Sequence, residues 1–452
     1  MSERFEWLRE RVSRMKAWCQ GHRRALIEHG KTVLIAGLFV SAVFLSGKAG
    51  LFGGAANLAA WRGRVMAVEA PETGMSKQEY TEVAQPLAVA VCLGDGGRYA
   101  TAYSQETKTV YERFAAYLGE ALGSAGVPEI ITRTQWEKAL SDRGIYFDYV
   151  REQSLLCVGA WQGISVPESI ARHEARQLFL AVESGGVRLY YRSADNGNYY
   201  RYTTALTKTA VESRMEIYQP GQAVFAFEQP IDSGLDPNAL LVPDMGEVRT
   251  VMVSNPGVPQ MVEETMLLFG MNYITATSYS ESDGGAVYLD GSSTLRLSGD
   301  GAITFERGGV SGGTAGRNGE ASLPEVIDGL YQTTLRLTEG RGEGQIRLTE
   351  AIYEEDGETY TVRFDYFIDG MPVCLTQGSA AEYTVSHGKI LRAQVYLRQY
   401  HFTGETQTAL PTTQAAALVA ACGGRELVRV YEDSGESVTV SWLIGSLTGE
   451  EH

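Results

Sequence analysis

One uncharged apolar run stands apart in the hydrophobic pattern of this 452-residue chain. It extends from Thr32 to Gly47, and the seven residues after it are small or apolar except for one lysine. A helix over 32–54 is long enough to cross a bilayer with some tilt. Residues 1–31 carry eight Lys and Arg against four Glu. The positive-inside rule therefore predicts a cytoplasmic tail at 1–31 and an extracytoplasmic region after the span.

A cleaved secretory signal is the alternative interpretation of the same run. Gly47-Lys48-Ala49 has the small-x-small pattern of a cleavage site. The segment before the run is longer than a usual signal and carries apolar residues at helical spacing, which favours an uncleaved anchor. Within this predicted span, Gly37 and Ser41 form a small-xxx-small pair that allows close approach of another helix, although small residues are also common in any span.

The region after the span alternates short apolar strands with amphipathic helices. A linker is predicted at 55–85 and a first domain at 86–206. In that domain, apolar residues at i, i+4, i+7 and i+8 predict a helix that begins near 110 and ends at Gly123, and a shorter helix is predicted at 135–140. Strands are predicted at 87–93, 98–103, 154–161, 177–183, 187–192 and 199–203.

A second domain is predicted at 207–306 and a third at 322–452, separated by a Gly-rich loop at 307–321 that holds six glycines. The second has helices at 207–218 and 259–269, a strand at 223–227, and a meander at 276–280, 286–290, 293–298 and 302–306. The third has helices at 324–331 and 412–421, and strands at 360–368, 372–376, 383–386, 390–398, 427–431 and 438–444. The sequence thus predicts one N-terminal transmembrane helix and three extracytoplasmic α+β domains with antiparallel sheets.

The net negative charge of the chain limits the kinds of partner that it can bind. The net charge is −16, and the tail contributes 8 − 4 = +4, so the rest of the chain carries −20. An acidic exterior is unsuited to nucleic acid, since that affinity depends on Lys and Arg, and it does not favour lying on anionic lipid. At 44% hydrophobic and 21% charged residues, the chain has the composition of globular protein.

The predicted membrane topology places one of the five cysteines in the cytoplasm and four outside. Cys19 falls in the predicted tail, and Cys92, Cys157, Cys374 and Cys422 fall outside. Two local bridges, Cys92–Cys157 and Cys374–Cys422, are one possibility. Because the first three of these cysteines lie in apolar runs, buried free thiols are the interpretation we favour, and four cysteines in about 400 residues are too few for a disulfide framework.

No motif in the chain carries convincing catalytic chemistry. Gly309-Val-Ser-Gly-Gly313 matches the nucleophile-elbow pattern, but it lies in a Gly-rich loop without the required strand and helix. Asp365 and Asp369 flank one strand and are interpreted as solvated structural carboxylates. The six histidines show no metal-ligand spacing. We therefore predict no enzyme, no catalytic residue, no cofactor and no metal site.

Five tyrosines lie close together in two neighbouring predicted strands. They are Tyr190, Tyr191, Tyr199, Tyr200 and Tyr202. Such a group can form a stacking platform for glycan. Cross-strand aromatic pairs explain the same residues without any ligand, and this is the commoner arrangement.

Several short β motifs resemble the YycH family. They are Leu267-Leu-Phe269, the segments 279–291 and 295–305, and the strand 362–373. The last of these carries Phe364, Tyr366 and Gly370-Met-Pro-Val373, a pattern that YycH shares with its relative YycI. The stretch from 267 to 450 carries the likeness, and the single N-terminal span agrees with it. The resemblance implies a non-enzymatic accessory regulator that contacts an essential cell-wall-sensing histidine kinase of Gram-positive bacteria, partly through transmembrane helices.

Two functional classes follow. The first is a membrane-anchored regulator of a two-component sensor kinase in cell-wall homeostasis, with the kinase and a related accessory protein as partners. The second is an extracytoplasmic module that binds wall glycan or peptide through the five tyrosines or a sheet edge. Neither class involves nucleic acid.

Overall fold

The computed structural model describes residues 83–229, 235–243, 246–257, 262–308, 322–353 and 359–443. These residues belong to one compact unit, Val65–His452, and the finer division into three domains remains a prediction. The predicted tail and span lie outside the described residues, as does most of the Gly-rich loop. Within the described ranges, no helix is both long and apolar enough to cross a membrane.

A seven-stranded antiparallel sheet forms the first half of the described chain. Its spatial order is β2-β1-β4-β5-β6-β7-β3. The β1–β2 turn depends on Asp95 and Gly96, which have φ of 51° and 75°, values that suit Asx and Gly. The strands are β1 Ala88–Gly94, β2 Gly97–Ala102, β3 Glu129–Ile131, β4 Arg143–Ser154, β5 Glu174–Glu183, β6 Gly186–Arg192 and β7 Tyr199–Thr203.

Five helices accompany this sheet within the described residues. The longest begins after Ser104, whose hydroxyl accepts from Thr107 N over 3.3 Å, and buries a stripe at Val110, Phe114 and Leu118. This arrangement satisfies an orphan backbone donor and places the apolar face on the sheet. The helices are α1 Gln105–Gly123, α2 Arg133–Ser141, α3 Leu155–Trp161, α4 Glu168–Ala171 and α5 Lys208–Met215.

The predicted strand at 154–161 is wrong. Strand β4 ends at Ser154, and the apolar run continues as helix α3, Leu155–Trp161. Leu155, Cys157 and Trp161 are all buried, so the helix is apolar on most of its circumference. Periodicity does not separate such a helix from a buried strand, which explains the error.

The second half contains an eight-stranded antiparallel sheet in the order β15-β16-β18-β19-β14-β13-β12-β11. Strand β17 pairs with the end of β16 and, in parallel, with β21, which forms a hairpin with β22. The strands are β11 Thr277–Ser280, β12 Ala286–Asp290, β13 Ser293–Leu297, β14 Ala302–Arg307, β15 Gln345–Tyr353, β16 Thr359–Ile368, β17 Met371–Leu375, β18 Ala381–Ser386, β19 Lys389–Tyr396, β21 Arg429–Asp433 and β22 Val438–Trp442. The predicted four-strand meander is confirmed.

Two small strand pairs lie beside the large sheets. Strands β10 (Glu247–Ser254) and β20 (Gln399–Thr408) form a two-stranded ribbon. Strands β8 (Val224–Phe225) and β9 (Leu240–Leu241) form the other pair. The remaining helices are α6 Val262–Leu268, α7 Leu323–Leu337 and α8 Thr412–Ala421, with a 3₁₀ turn at Ala226–Glu228. The predicted α+β class with antiparallel sheets is confirmed for the described residues.

The cysteines differ in exposure. Cys92 and Cys157 are buried, Cys374 is half-buried and Cys422 is exposed, and all four are free thiols. Burial raises the pKa of both Cys92 and Cys157 to about 12. The two buried thiols are therefore protonated and unreactive in the folded protein. Free thiols are confirmed for all four residues, and burial is confirmed for Cys92 and Cys157 but only in part for Cys374; Cys422, which has no such apolar run around it, is exposed.

Candidate functional site

A cleft of about 510 Å³ opens where distant parts of the chain meet. We call it the junction cleft, because its walls come from the β2–α1 connection, the β10–β20 ribbon, the start of β15, the β16–β17 turn and the start of β21. Its lining residues include Tyr103, Ser104, Gln105, Glu247, Val248, Arg249, Glu343, Gln345, Arg347, Asp369, Gly370, Met371, Phe402 and Arg429. Its volume is in the range of small-ligand sites, which often lie between structural units.

Two arginines form the buried floor of the junction cleft. Arg347 on β15 is 8% exposed and Arg429 on β21 is 5% exposed. Arg347 donates to Gln345 Oε1 over 3.0 Å and lies 4.8 Å from the centre of the Phe367 ring. The Arg429 guanidinium lies 5.8 Å from the Tyr103 ring centre. Burial lowers the pKa of Arg429, because the charged form loses hydration.

The carboxylates of the junction cleft all lie at its exposed rim. Glu247, Glu343 and Asp369 are exposed, in contrast to the floor arginines. Asp369 pairs with the rim residue Arg249 through both carboxylate oxygens, and Arg249 also lies 3.6 Å from the centre of the Phe402 ring. The cleft therefore has a cationic floor and a mainly acidic rim.

Tyr103, in the wall of the cleft, has an unusual backbone conformation. Its φ is 51°, a left-handed value that is rare for aromatic residues and often occurs at functional positions. The phenol donates to Leu427 O over 3.3 Å and accepts from Arg429 N over 3.2 Å. Burial raises the pKa of Tyr103 to about 12, so the phenol stays neutral and joins the first sheet to β21.

The β16–β17 turn packs directly against Tyr103. Asp369 and Gly370 have φ of 53° and 86°, the pattern of a type I′ turn. A Cβ at Gly370 would lie 2.9 Å from Ser104 N and 3.0 Å from Tyr103 C, which is closer than real side chains approach. The turn predicted at Asp369-Gly370 is confirmed, and its glycine is required by this contact.

A second feature is an apolar sheet edge, which we call the β11 edge and define by Tyr273, Ile274, strand β11 and Leu289. All four residues of β11 are exposed, and in the described chain β11 pairs with β12 alone. Ile274 is 77% exposed and Tyr279 is 57% exposed. An edge strand offers unpaired backbone groups, so this edge can accept another strand.

The sheet divides the five predicted tyrosines between its two faces. Tyr191, Tyr200 and Tyr202 share one face, where the rings of Tyr191 and Tyr202 stack at 5.7 Å and Tyr191 contacts His173 Nδ1 at 2.6 Å. Tyr190 and Tyr199 lie on the other face against the Trp136 ring, at 6.3 and 5.8 Å.

Burial limits which of these tyrosines a ligand could reach. All are buried except Tyr199, which is half-buried and lines a second cleft of about 500 Å³. Cross-strand packing accounts for the other four. The glycan-stacking role stays a prediction.

Asp365 was expected in solvent and is 6% exposed, accepting from Thr349 Oγ1 over 2.7 Å and Ala380 N over 3.1 Å; these donors explain its burial. Gly37, Ser41 and the 309–313 motif lie outside the described residues. Within the described ranges, no three His, Cys, Asp or Glu side chains are arranged to hold a metal ion.

The floor arginines were missed by the sequence reasoning. Arg429 falls in a predicted strand and Arg347 in a segment assigned no element. The one available signal was arginine within apolar strand-like sequence, Ile346-Arg347-Leu348 and Val428-Arg429-Val430.

The fold and the site together define an α+β protein with two antiparallel sheets and a polar cleft at their junction. No family model and no curated protein matches the sequence. Among solved structures, the fold is similar to that of YycH from Bacillus subtilis, with a TM-score of 0.51 and 8% sequence identity, over 82% of this chain and 95% of that chain. The likeness of fold thus extends well beyond the 267–450 stretch in which the sequence motifs lie.

Proposed function

We propose that this chain is a membrane-anchored, YycH-like accessory regulator of a two-component sensor histidine kinase in cell-wall homeostasis. Its N-terminus lies in the cytoplasm, and its described region lies outside the cell membrane. It acts by protein–protein contact rather than by catalysis. The observation that supports this proposal is the likeness of fold to YycH over 95% of that chain, together with the motifs between 267 and 450.

The β11 edge is the contact surface that fits this role. Its four-residue strand offers backbone donors and acceptors, and Ile274 before the strand and Tyr279 within it add exposed apolar area. A strand from the extracytoplasmic part of the kinase would extend the sheet by β-augmentation, with alternate side chains setting specificity. Burying one such apolar side chain contributes about 1.5–3 kcal/mol, so two are sufficient to affect affinity measurably.

The alternative is a module that binds wall glycan or peptide without any kinase. It was based on the five tyrosines or a sheet edge. Four of these rings are buried, which leaves Tyr199 as the accessible member. A sheet edge serves either function, and the likeness of fold to YycH is the observation that favours the regulator.

Co-purification from membranes tests the proposal. The full-length chain carries an affinity tag in its own host, and the sensor kinase is quantified in the eluate. The double variant Ile274→Glu, Tyr279→Glu should reduce kinase recovery by about tenfold, equivalent to about 1.4 kcal/mol. Ile217→Glu is the matched control, since Ile217 is 62% exposed but lies outside the β11 edge.

The same strains report on regulation. Phosphorylation of the cognate response regulator should change when the gene is deleted and should be restored by the control variant but not by the edge variant. Absence of any sensor kinase from the parent eluate, with unchanged phosphorylation after deletion, would contradict the proposal.

A further inference from the structure

We propose that the second cleft binds a saccharide that carries a carboxylate, with the sugar ring on Tyr199 and the carboxylate between Arg192 and Arg425. We call it the Tyr199 cleft and define it by these three residues together with Gln177 and Asp236, all of which line it. Its volume of about 500 Å³ is in the range of small-ligand sites. The site belongs to the first sheet and does not depend on contact with a kinase at the β11 edge.

Strand pairing brings three of these residues into one row. Arg192 on β6 pairs directly with Tyr199 on β7, so the two side chains point to the same face of the sheet. Leu178 on β5 pairs with Tyr191 on β6, and continuing this register places Gln177 beside Arg192 on that face. Arg192 is the last residue of β6 and Tyr199 is the first of β7. The row therefore lies at the end of the sheet face, where the cleft opens.

The Tyr199 ring supplies an apolar platform for the sugar. It is half-buried, and its centre lies 5.8 Å from that of the Trp136 ring at an interplanar angle of 37°. Because Trp136 is fully buried, it supports the tyrosine from the side of the core. Within the described ranges, the Tyr199 phenol forms no side-chain hydrogen bond. An aromatic face packs on the C–H groups of a pyranose ring, and the phenol remains available to a sugar hydroxyl.

Two cations of the cleft have no anionic partner in the described part of the chain. Arg192 and Arg425 are exposed, and neither forms an ion pair or a side-chain hydrogen bond there. Arg133 also lines the cleft, although it pairs with Glu137 at 2.6 Å. An arginine fork binds a carboxylate through paired N–H bonds. In a chain with a net charge of −16, this local excess of free positive charge favours an anionic group on the ligand.

The carboxylates of the cleft are mostly engaged within the protein. Asp236 accepts from Gln177 Nε2 and from Asn238 N, each over 3.0 Å. Glu426 accepts from Arg176 over 2.8 Å. These acidic groups add acceptors for sugar hydroxyls and disfavour a second negative charge on the ligand. A neutral sugar ring with one carboxylate therefore fits the cleft better than a dianion such as phosphate.

Isothermal titration of the full-length chain, in a detergent without a sugar head group, tests the site with three probes. The first is N-acetylmuramic acid. The second is N-acetylglucosamine, which is the same ring without the lactyl carboxylate. The third is lactate, which is the carboxylate without the ring. The acidic sugar should bind at least about tenfold more tightly than either of the other two.

Arginine variants test the contribution of charge. Arg192→Gln and Arg425→Gln should each weaken binding of N-acetylmuramic acid by about fivefold, equivalent to about 1 kcal/mol, and leave binding of N-acetylglucosamine unchanged. Both substitutions alter exposed side chains, so the fold should be retained. Arg188→Gln is the matched control, because Arg188 lies on the same strand and face as Arg192 but pairs with Glu183 at 2.8 Å, outside the cleft.

Tyrosine variants test the platform. Tyr199→Ala should weaken binding of both sugars by the same factor, whereas Tyr199→Phe keeps the ring and should retain most of the affinity for both. Thermal midpoints identify any variant that fails to fold, in which case the three probes on the parent chain still decide. Equal binding of the two sugars, or lactate binding as tightly as the acidic sugar, would overturn the proposal. No binding of the acidic sugar at millimolar concentration would overturn it as well.

Discussion

Gln153 Nε2 donates to the backbone carbonyl of Thr349 over 2.8 Å, and this hydrogen bond crosses from the first sheet to the second. Both residues are buried, at 2% and 0% exposed. The bond lies beside the single parallel bridge between β4 and β15, which pairs Gln153 with Ala351. The joint between the two sheets therefore depends on few backbone contacts and on buried polar groups.

Gln153→Ala should destabilise the folded chain by about 1–3 kcal/mol. The reason is that the Thr349 carbonyl would lose its donor from Gln153 at a fully buried position, and leaving a buried polar group unsatisfied costs its full desolvation energy. Urea unfolding of the full-length protein, followed by tryptophan fluorescence, measures the shift. Gln414→Ala is the control, since Gln414 is exposed on α8 and its removal should change stability by less than about 0.5 kcal/mol. Equal midpoints for both variants would show that the bond contributes nothing.

The pH dependence of stability should include a contribution from Glu174, the first residue of β5. Burial raises its pKa from 4.5 to about 7, and Asp195, Glu152 and Glu350 add to this increase. Because the folded pKa is above the unfolded one, the stabilisation is complete below pH about 4.5 and is lost as the pH rises through about 7. Thermal midpoints of the parent protein should therefore fall between about pH 5 and pH 8.

Glu174→Gln should reduce that decline, because an amide does not titrate. Some decline will remain, since burial also raises the pKa of Asp148 to about 6 with the same sign. The measurement is the thermal midpoint of both proteins at each pH. Parallel curves for the parent and the variant would rule out this role of Glu174.

Much of the second sheet could be predicted from the sequence because its signals are local. The meander β11–β14 has Gly-containing turns and regular alternation, and helix 412–421 was predicted with the bounds of α8. Strands β10, β15 and β20 were missed. Strand β20 is mostly exposed and polar, and it forms a strand because it pairs with β10, which is about 150 residues away. Strand β15 buries Arg347 and Glu350, which obscures its periodicity.

The junction cleft could not be predicted for a related reason. Its floor contains Arg347 and Arg429, and its wall contains Tyr103. These three residues are separated by up to about 330 positions in the sequence. Burial of an arginine depends on which elements pack around it, and one sequence does not contain that information. The five tyrosines show the opposite effect: they are close in sequence but do not form one site. Successive side chains of a β-strand point to opposite faces of the sheet, so the tyrosines are divided between the two faces.

Thiol accessibility should establish the topology of the full chain. An impermeant maleimide added to intact protoplasts should label Cys422, which is exposed, and leave Cys19 unlabelled if the tail is cytoplasmic. Cys92 and Cys157 are buried, and burial raises the pKa of each to about 12, so they should react only after unfolding. Mass spectrometry of tryptic peptides gives the label at each site. Labelled Cys19, or a mature N-terminus near Gly50, would contradict the uncleaved anchor.

The last prediction concerns the membrane helix that the sequence predicts at 32–54. Gly37 and Ser41 are one helical turn apart, so on a helix they form a small-residue face. Helix association in lipid depends on close packing, and leucine at both positions would hold the backbones apart. The double variant Gly37→Leu, Ser41→Leu should therefore reduce co-purification of the sensor kinase while the protein remains in the membrane fraction.

Thermal unfolding of the extracytoplasmic region should not change, because the substitutions lie outside it. Ala42→Leu alone is the matched control for added bulk on another face of the helix. If the double variant retains full association and regulation, the contact lies in the extracytoplasmic region, at the β11 edge or elsewhere, and this helix acts only as an anchor.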